Sequence, residues 1–314
     1  MTPIQTTLGK IDTGSLGRVN IHEHIVIEGD RIQDLYTDFV HNDVELISGE
    51  VREWRNQGGG VIVDCSPIDA GRSALKLKEV SRISGVPIIV STGFHKEMYY
   101  PEYHWIHTKT SSELFRILEK ESENGIPIEE EIQENIPKSR IYPGIIKMGI
   151  DTNGFSAFFE KIFPCIQDLV KKTGLPLIIH TEPGSFVLKT AERLIQSNIP
   201  GKKVVFCHMD KSTDIEIQAE LAIEGFFLEY DSMIRKTPSL EELAAEIEYL
   251  LIKGLGDKIL FGGDYARRSY WKCYDGNPGL PYLVTKLYDD FSQFGLAKEI
   301  IDEIWIENPK KLFE

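Results

Sequence analysis

Two apolar runs of this chain each end in a histidine: Leu175-Pro-Leu-Ile-Ile-His180 and Val204-Val-Phe-Cys-His208. An amphipathic helical pattern near 184–198 lies between them. Short, almost continuously apolar runs rich in Val and Ile are typical of parallel strands buried on both faces. The segment therefore predicts a strand–helix–strand unit with a polar residue at the C-terminal end of each strand.

The same alternation extends over the whole chain. Strand candidates lie near 19–25, 60–65, 87–92, 143–148, 176–180, 203–208, 225–230 and 258–263. Helical patterns lie near 42–57, 72–84, 154–173, 184–198, 214–223, 239–254 and 280–294. The alternation predicts an α/β fold, and eight strands favour a single (β/α)8 TIM barrel over an open doubly wound sheet. Polar residues on the first and last strands can share one pocket only if the sheet closes into a barrel. The length of 314 residues fits one such domain, 1–314.

One interval between strands is longer than the others. About 50 residues separate the third and fourth strands, so we predict an extended loop or helical insertion at about 94–140. Its aromatic part, Phe94 to His107, is expected to shape the site as a lid, with His95, Lys96, Tyr99 and Tyr100 as candidate lining residues. Its acidic part, Glu119 to Glu131, is expected to be a solvated helix face and turn.

Composition and charge limit the classes of function. The formal net charge of -14 argues against nucleic-acid and membrane-surface partners, which usually meet a basic face. No apolar run approaches the roughly 20 residues that span a bilayer, and no secretory signal is visible. The four cysteines form no CxxC pair, so we expect reduced thiols and a cytoplasmic location. Strand alternation predicts that Cys207, beside His208, faces the layer between strands and helices.

Six residues at or near strand ends are candidate metal ligands. They are His22, His24, Lys147, His180, His208 and Asp264. His22 and His24 are two positions apart on one strand, so their side chains share a face and can chelate one ion. Alone, such a pair is also compatible with two structural histidines. Imidazole and carboxylate ligands suit Zn²⁺ best, with Mn²⁺, Co²⁺, Ni²⁺ or Fe²⁺ as alternatives.

Lys147 is the unusual member, because an ammonium group repels cations. It is either a structural lysine paired with a carboxylate such as Asp264, or a lysine carboxylated by CO₂ whose carbamate is an anionic ligand. Burial lowers the pKa of a lysine, and the neutral amine can then react.

Five segments carry a resemblance to a known family. They are His22-Glu-His24, Gly144-Ile-Ile-Lys147, Ile178-Ile-His180-Thr, Phe206-Cys-His208-Met-Asp and Phe261-Gly-Gly-Asp264. In order and context they resemble the phosphotriesterase-like family of the amidohydrolase superfamily, and Ile62-Val-Asp-Cys-Ser-Pro67, Ser91-Thr-Gly-Phe94 and Glu307-Asn-Pro-Lys-Lys-Leu-Phe313 extend the resemblance over nearly the full length.

The resemblance implies two divalent metal ions per subunit. His22, His24 and Asp264 would hold the first ion and His180 and His208 the second, with carboxylated Lys147 and a hydroxide as bridges. Asp264 would be catalytic, taking a proton from the hydroxide and passing it to the leaving oxygen. The resemblance also makes a homodimer plausible.

Two basic loops indicate the chemical class of the expected substrate. The loop after the eighth strand contains Arg267, Arg268 and Tyr270, and the loop after the seventh contains Arg235 and Lys236. With Tyr99 they are candidate substrate contacts, and they indicate a small anionic substrate in an otherwise acidic protein. Alternatively, these basic residues form surface salt bridges.

The Arg-Arg-Ser-Tyr element resembles the branch of the family that hydrolyses phosphorylated sugar lactones. The expected activity is therefore that of a lactonase. A phosphotriesterase, an amidohydrolase acting on C–N bonds and a non-catalytic anion-binding barrel are the alternatives.

Overall fold

Eight parallel strands form the centre of the computed structural model, which describes residues 3–128, 139–152, 154–183, 186–211, 214–235 and 237–314. A short antiparallel hairpin, β1 (Ile4–Thr6) and β2 (Gly9–Ile11), precedes them. The parallel strands are β3 (Arg18–Glu23), β4 (Gly59–Asp64), β5 (Ile88–Phe94), β6 (Ile145–Gly149), β7 (Leu177–His180), β8 (Val204–Phe206), β9 (Phe227–Tyr230) and β10 (Ile259–Phe261). Each pairs with the next in chain order, which confirms the eight predicted strands.

Hydrogen bonds join the two ends of this sheet. The backbone N–H groups of Gly263 and Asp264, just beyond β10, both donate to the carbonyl of His22 in β3 at 2.9 Å. The first and last parallel strands are therefore neighbours, and the predicted α/β barrel is confirmed.

Helices connect the strands and cover the outside of the barrel. They are α1 (Asp30–Leu35), α2 (Val44–Asn56), α3 (Ala74–Ser84), α4 (Trp105–Thr108), α5 (Ser111–Asn124), α6 (Ala157–Thr173), α7 (Val187–Gln196), α8 (Ile215–Ile223), α9 (Leu240–Ile252), α10 (Lys286–Gln293), α11 (Lys298–Asp302) and α12 (Asn308–Phe313). The helix predicted over 280–294 is shortened, because Thr285 leaves the helical conformation (φ -119°, ψ -93°) and α10 begins after it. Among the described residues, no helix is long and apolar enough to cross a membrane.

The long interval between β5 and β6 contains the helix α5, within the predicted insertion at about 94–140. Thr110 and Glu113 exchange hydrogen bonds between side chain and backbone, a capping box that starts α5. The expectation of a fully solvated acidic face is wrong for Glu121, which is buried and accepts two hydrogen bonds from Arg72 at 2.7 and 3.0 Å. The remainder of the acidic segment, Glu129 to Glu131, lies outside the described residues.

The barrel interior is a separate apolar core. Its residues in, or directly after, the parallel strands are Val19, Ile21, Val61, Val63, Cys65, Ile89, Ile145, Ile178, Val205, Cys207, Phe227 and Leu260. The prediction that Cys207 faces the strand–helix layer is therefore wrong. The reason is local: β8 ends at Phe206, and His208 adopts a left-handed φ of 62°, so strict alternation does not continue through the histidine.

Candidate metal centre

Three predicted ligands converge at the C-terminal end of the barrel. The Nε2 atoms of His22 and His24 lie 3.8 and 3.5 Å from Oδ1 of Asp264. All three side chains are buried, and their ligand atoms lie within 4.8 Å of one another. The two histidines meet although the pairing of β3 with β4 shifts register between Asn20 and Glu23. Two imidazoles and a carboxylate in this arrangement offer the donor set of a divalent metal site.

A second pair of histidines lies beside this group. Nε2 of His208 is 2.8 Å from Nδ1 of His180, so one ring nitrogen of each faces a common point. The ring centroids of His22 and His208 are 5.1 Å apart, which makes the two groups adjacent. Burial lowers the pKa of His208 and holds the pKa of His180 well below its ordinary value. Both imidazoles are therefore neutral near pH 7, the form that binds metals.

Lys147 is fully buried at the level of the ligands. Its Nζ lies 3.2 Å from Nε2 of His22 and 3.9 Å from Sγ of Cys207. Burial opposes the charged amine, but the acidic groups around it, Cys207 first and then Cys65, outweigh burial and raise the pKa of Lys147. This direction differs from the lowered pKa expected for a buried lysine.

Left-handed backbone turns direct two of the ligands into the site. His208 has a φ of 62° and Asp264 a φ of 49°, conformations that cost a non-glycine residue about 1–3 kcal/mol. Glycines permit the close approach after β10. A Cβ on Gly262 would lie 2.3 Å from Oε1 of Glu229, and one on Gly263 would lie 1.9 Å from Oε1 of Glu23. The strained backbone of Gly262-Gly-Asp264 thus places the Asp264 carboxylate in the site.

Two carboxylates at the end of β9 hold the histidine rings. Asp231 pairs with Nδ1 of His208 and lies 3.5 Å from Nδ1 of His22, and Glu229 lies 3.2 Å from the same His22 atom. These contacts fix each ring through Nδ1 and leave Nε2 for the centre, a common arrangement around protein metals. Sequence reasoning missed both acids, although two acidic residues two positions apart at a strand end were a readable signal.

The two carboxylates titrate in opposite directions. Burial, reinforced by repulsion from Asp231, raises the pKa of Glu229 well above its ordinary value. Burial acts the same way on Asp231, but its contact with His208 and the charge of Lys211 hold its pKa well below the usual range. Oε1 of Glu229 is also buried without a hydrogen-bond partner among the described residues. A buried set of nitrogen and oxygen donors, already oriented and incompletely satisfied, fits a divalent ion.

Lys211 and Arg235 contact the other oxygen of Asp264. A guanidinium nitrogen of Arg235 lies 2.6 Å and Nζ of Lys211 lies 3.4 Å from Oδ2. Burial opposes ionisation, but these two cations hold the pKa of Asp264 well below its ordinary value. The carboxylate therefore presents Oδ1 to the histidines and Oδ2 to the cations. Sequence reasoning identified Arg235 and missed Lys211, which a turn places over the site through a 3.1 Å bond from its N–H to the His208 carbonyl.

A cavity of about 300 Å³ opens above the ligands. Of the predicted substrate contacts, Tyr99, Arg235, Arg267 and Tyr270 line it. The structure does not bring Arg268 to the cavity: its guanidinium lies 4.8 Å from the centre of the Tyr274 ring.

Some of the other predicted residues line the cavity and others do not. His95 and Lys96 line the cavity, whereas Tyr100 is buried and its hydroxyl accepts a hydrogen bond from the His95 N–H at 2.8 Å. Lys236 lies outside the described residues.

The loop that carries Arg267 and Tyr270 is tied to α2. The carboxylate of Glu50 accepts hydrogen bonds from the N–H groups of Cys273 and Leu280, both at 2.7 Å. The Tyr265 hydroxyl donates to the Gly279 carbonyl at 3.0 Å. The basic side of the cavity is therefore built on a fixed loop.

Comparison with known proteins places this geometry in context. A phospho-furanose lactonase of Mycoplasmopsis synoviae is 30% identical over 322 residues, covering 98% of this chain and 90% of that protein. The crystal structure of an amidohydrolase from Mycoplasma synoviae has a TM-score of 0.93 at 28% identity, covering 99% of this chain and 91% of the other. A lactonase from Listeria monocytogenes has a TM-score of 0.90 at 29% identity, with 100% and 99% covered. The sequence model of the phosphotriesterase family matches residues 2–313. Barrel, ligand group and sequence thus agree, and the chain belongs to the phosphotriesterase family.

Proposed function

We propose that this chain is a metal-dependent lactonase that opens lactones of phosphorylated sugars. The observation that carries the proposal is the position of a basic cavity directly above a buried group of metal-ligand residues. The relatives named as a phospho-furanose lactonase and a lactonase support the same reaction class.

The proposed metal ligands divide into two sets. His22, His24 and Asp264 would hold one ion and His180 and His208 a second, and Lys147, as carboxylysine, would bridge them. The 3.2 Å separation of the Lys147 amine from Nε2 of His22 supports the bridging position. Bound divalent ions supply Lewis acidity and make water nucleophilic near neutral pH. Nitrogen and oxygen ligands favour zinc, and elemental analysis of purified protein distinguishes it from Mn, Co, Ni and Fe.

Asp264 is the proposed proton carrier. Its contacts with Arg235 and Lys211 keep it ionised and direct it toward the cavity, where it can accept the proton of the attacking water. As the bond between the lactone carbonyl carbon and the ring oxygen breaks, the same proton goes to that oxygen. The products are a hydroxyl group and a carboxylic acid on one open chain, and the acid ionises to a carboxylate by releasing the second proton of the attacking water.

Arg267 is the proposed main contact of the substrate phosphate. Its only ion pair among the described residues is a long one, 3.9 Å to Asp38, and both side chains are exposed. Its guanidinium is therefore available to an incoming anion, and Tyr270 lines the cavity beside it. Arg235 and Lys236 are the further candidates from the neighbouring loop.

The test compares a phosphorylated sugar lactone with its unphosphorylated form. Arg267→Gln should raise KM for the phosphorylated lactone about tenfold or more, because a charge-assisted hydrogen bond contributes about 1.5–3 kcal/mol. The matched control is Arg268→Gln, which removes the adjacent arginine that faces Tyr274 and should leave KM unchanged.

Equal wild-type rates on the two lactones would refute the phosphate site and leave the lactonase assignment intact. No hydrolysis of either lactone by protein that holds two equivalents of metal would refute the assignment itself.

We also propose a cytoplasmic homodimer that binds neither nucleic acid nor membrane. Cys65, Cys165 and Cys207 are buried free thiols, which suits a reducing compartment. Light scattering of purified protein tests the dimer, and fractionation of the source cells tests the location.

A further inference from the structure

One wall of the cavity carries polar atoms that neither the ligand group nor the basic loops use. Lys96 and Tyr99 follow β5, Glu182 follows β7, and all three line the cavity. Oε1 of Glu182 lies 3.0 Å from Nε2 of His180 and also accepts a hydrogen bond from the Lys96 ammonium. Within the described ranges, Oε2 of Glu182 and the Tyr99 hydroxyl have no hydrogen-bond partner, and Lys96 uses one of its three N–H donors.

The wall is held in place by the ends of two neighbouring strands. A Cβ on Gly149, at the end of β6, would lie 2.7 Å from the backbone nitrogen of Lys96 and 3.0 Å from Nδ1 of His95. The same His95 atom accepts a hydrogen bond from the Lys96 N–H at 2.7 Å. The His95 ring centroid is 4.4 Å from that of Tyr99. Only a residue without a side chain at position 149 permits this close packing, which fixes Lys96 beside Glu182.

The three groups offer complementary hydrogen bonds. A free carboxylate oxygen accepts, an ammonium donates, and a phenol does both. Adjacent hydroxyl groups on a sugar ring need this combination, whereas an aliphatic lactone needs none of it. Arg235 and Arg267 come from loops after β9 and β10, so the two sets of residues approach a bound molecule from different strands.

We infer that Lys96, Tyr99 and Glu182 recognise the ring hydroxyls of the substrate and make the enzyme selective for hydroxylated lactones. The inference rests on the proposed lactonase function and identifies the ring hydroxyls as the substrate feature that this wall recognises. A site that hydrogen-bonds a hydroxyl rejects an analogue without it, because its own polar groups are then left unpaired. The Glu182 side chain is 27% exposed, so we expect discrimination of about 100-fold, below that of a fully buried site.

The experiment measures kcat/KM for a phosphorylated γ-lactone with ring hydroxyls and for its dideoxy analogue. Wild-type enzyme should prefer the hydroxylated lactone about 100-fold. Glu182→Gln and Lys96→Met should each reduce this preference at least about tenfold, mainly through the hydroxylated substrate. The matched control is Glu160→Gln, since Glu160 also pairs with a cation, Arg193, but on the helical surface.

A purely structural role of Glu182, holding the His180 ring, predicts a different result. Both lactones would then slow by the same factor and the metal content of the variant would fall. That outcome, or a wild-type preference below about threefold, overturns the inference while lactonase activity stands. If wild-type enzyme hydrolyses neither lactone, the proposed function fails instead. Lys96→Met keeps the test decisive if Glu182→Gln folds poorly.

Discussion

At the scale of single residues, the centre depends on side chains that each make two kinds of contact. Asp264 faces histidines with one oxygen and cations with the other, and Asp231 contacts both His208 and His22. Substitution at these positions therefore changes geometry and charge together. Lys147 is the simpler probe, because it is fully buried and its proposed role as a bridge is chemically distinct.

Lys147→Ala should lower lactonase activity by at least about 100-fold and reduce the bound metal, because affinity falls 10–100-fold even when an outer-shell residue is lost. Short carboxylic acids should partly restore activity by supplying the missing carboxylate. Metal content and initial rates measure both effects. Lys203→Ala, at a half-buried lysine bound to the Leu312 carbonyl, is the control. Full activity without Lys147 would exclude the carbamate bridge.

Several of these residues were readable from sequence and several were not. His22, His24, His180, His208 and Asp264 are ligand-type residues at strand ends, and the periodicity alone marked them. No comparable pattern marks Lys211, whereas the inward direction of Cys207 follows from alternation with Val205 in β8. The position of Lys211 depends on the left-handed turn at His208, and a positive φ is uncommon outside glycine even though histidine is among the enriched residue types.

At the scale of elements, strand ends and their glycines set the depth of the site. Gly93 in β5 has a φ of 107°, and a Cβ there would lie 2.1 Å from the carbonyl oxygen of Lys147 in β6. The strand that carries Lys147 can therefore sit at its observed distance only if position 93 lacks a side chain. Strands were predictable because their apolar runs are nearly continuous, and a helical insertion was predicted between β5 and β6, but its start became definite only with the Thr110–Glu113 capping box.

Gly93→Ala should destabilise the fold by about 2–5 kcal/mol, because backbone strain and a clash with a buried carbonyl act together. The matched control is Gly174→Ala at the end of α6, where φ is also positive at 68° but a Cβ would meet open space. That control should cost only about 1 kcal/mol. Denaturant unfolding of both variants measures the difference. Equal losses would mean that the close approach between β5 and β6 is not a real constraint.

At the scale of the whole molecule, the proposed ligands come from strands all around the barrel. His22 and His24 belong to or follow β3, Lys147 lies in β6, and Asp264 follows β10. Metal bound there would connect elements that are distant along the chain. The barrel itself followed from strand count and from the need to bring these residues together, but the lining of its mouth did not, because loop conformations determine which of two adjacent arginines faces inward.

Metal removal should therefore lower the melting temperature of the entire domain. A ligand held at about 1,000 times its Kd stabilises by about 4 kcal/mol, which corresponds to roughly 6 °C for a protein of this size. Calorimetry before and after chelation, with metal content measured in parallel, gives the shift. His104→Ala, at a histidine outside the centre that bonds Asp69, should show the same chelator effect as wild type. An unchanged melting temperature after complete metal loss would show that the ions do not connect the strands.

The barrel closes where the N–H groups of Gly263 and Asp264 donate to the His22 carbonyl. The order in which the chain is synthesised determines when this closure can occur. A ribosome synthesises β3 first and β10 last among the eight parallel strands, so the nascent chain exposes its two leading histidines long before their carboxylate partner exists. The complete group of His22, His24 and Asp264 can therefore form only after the last parallel strand has been made and the barrel has closed.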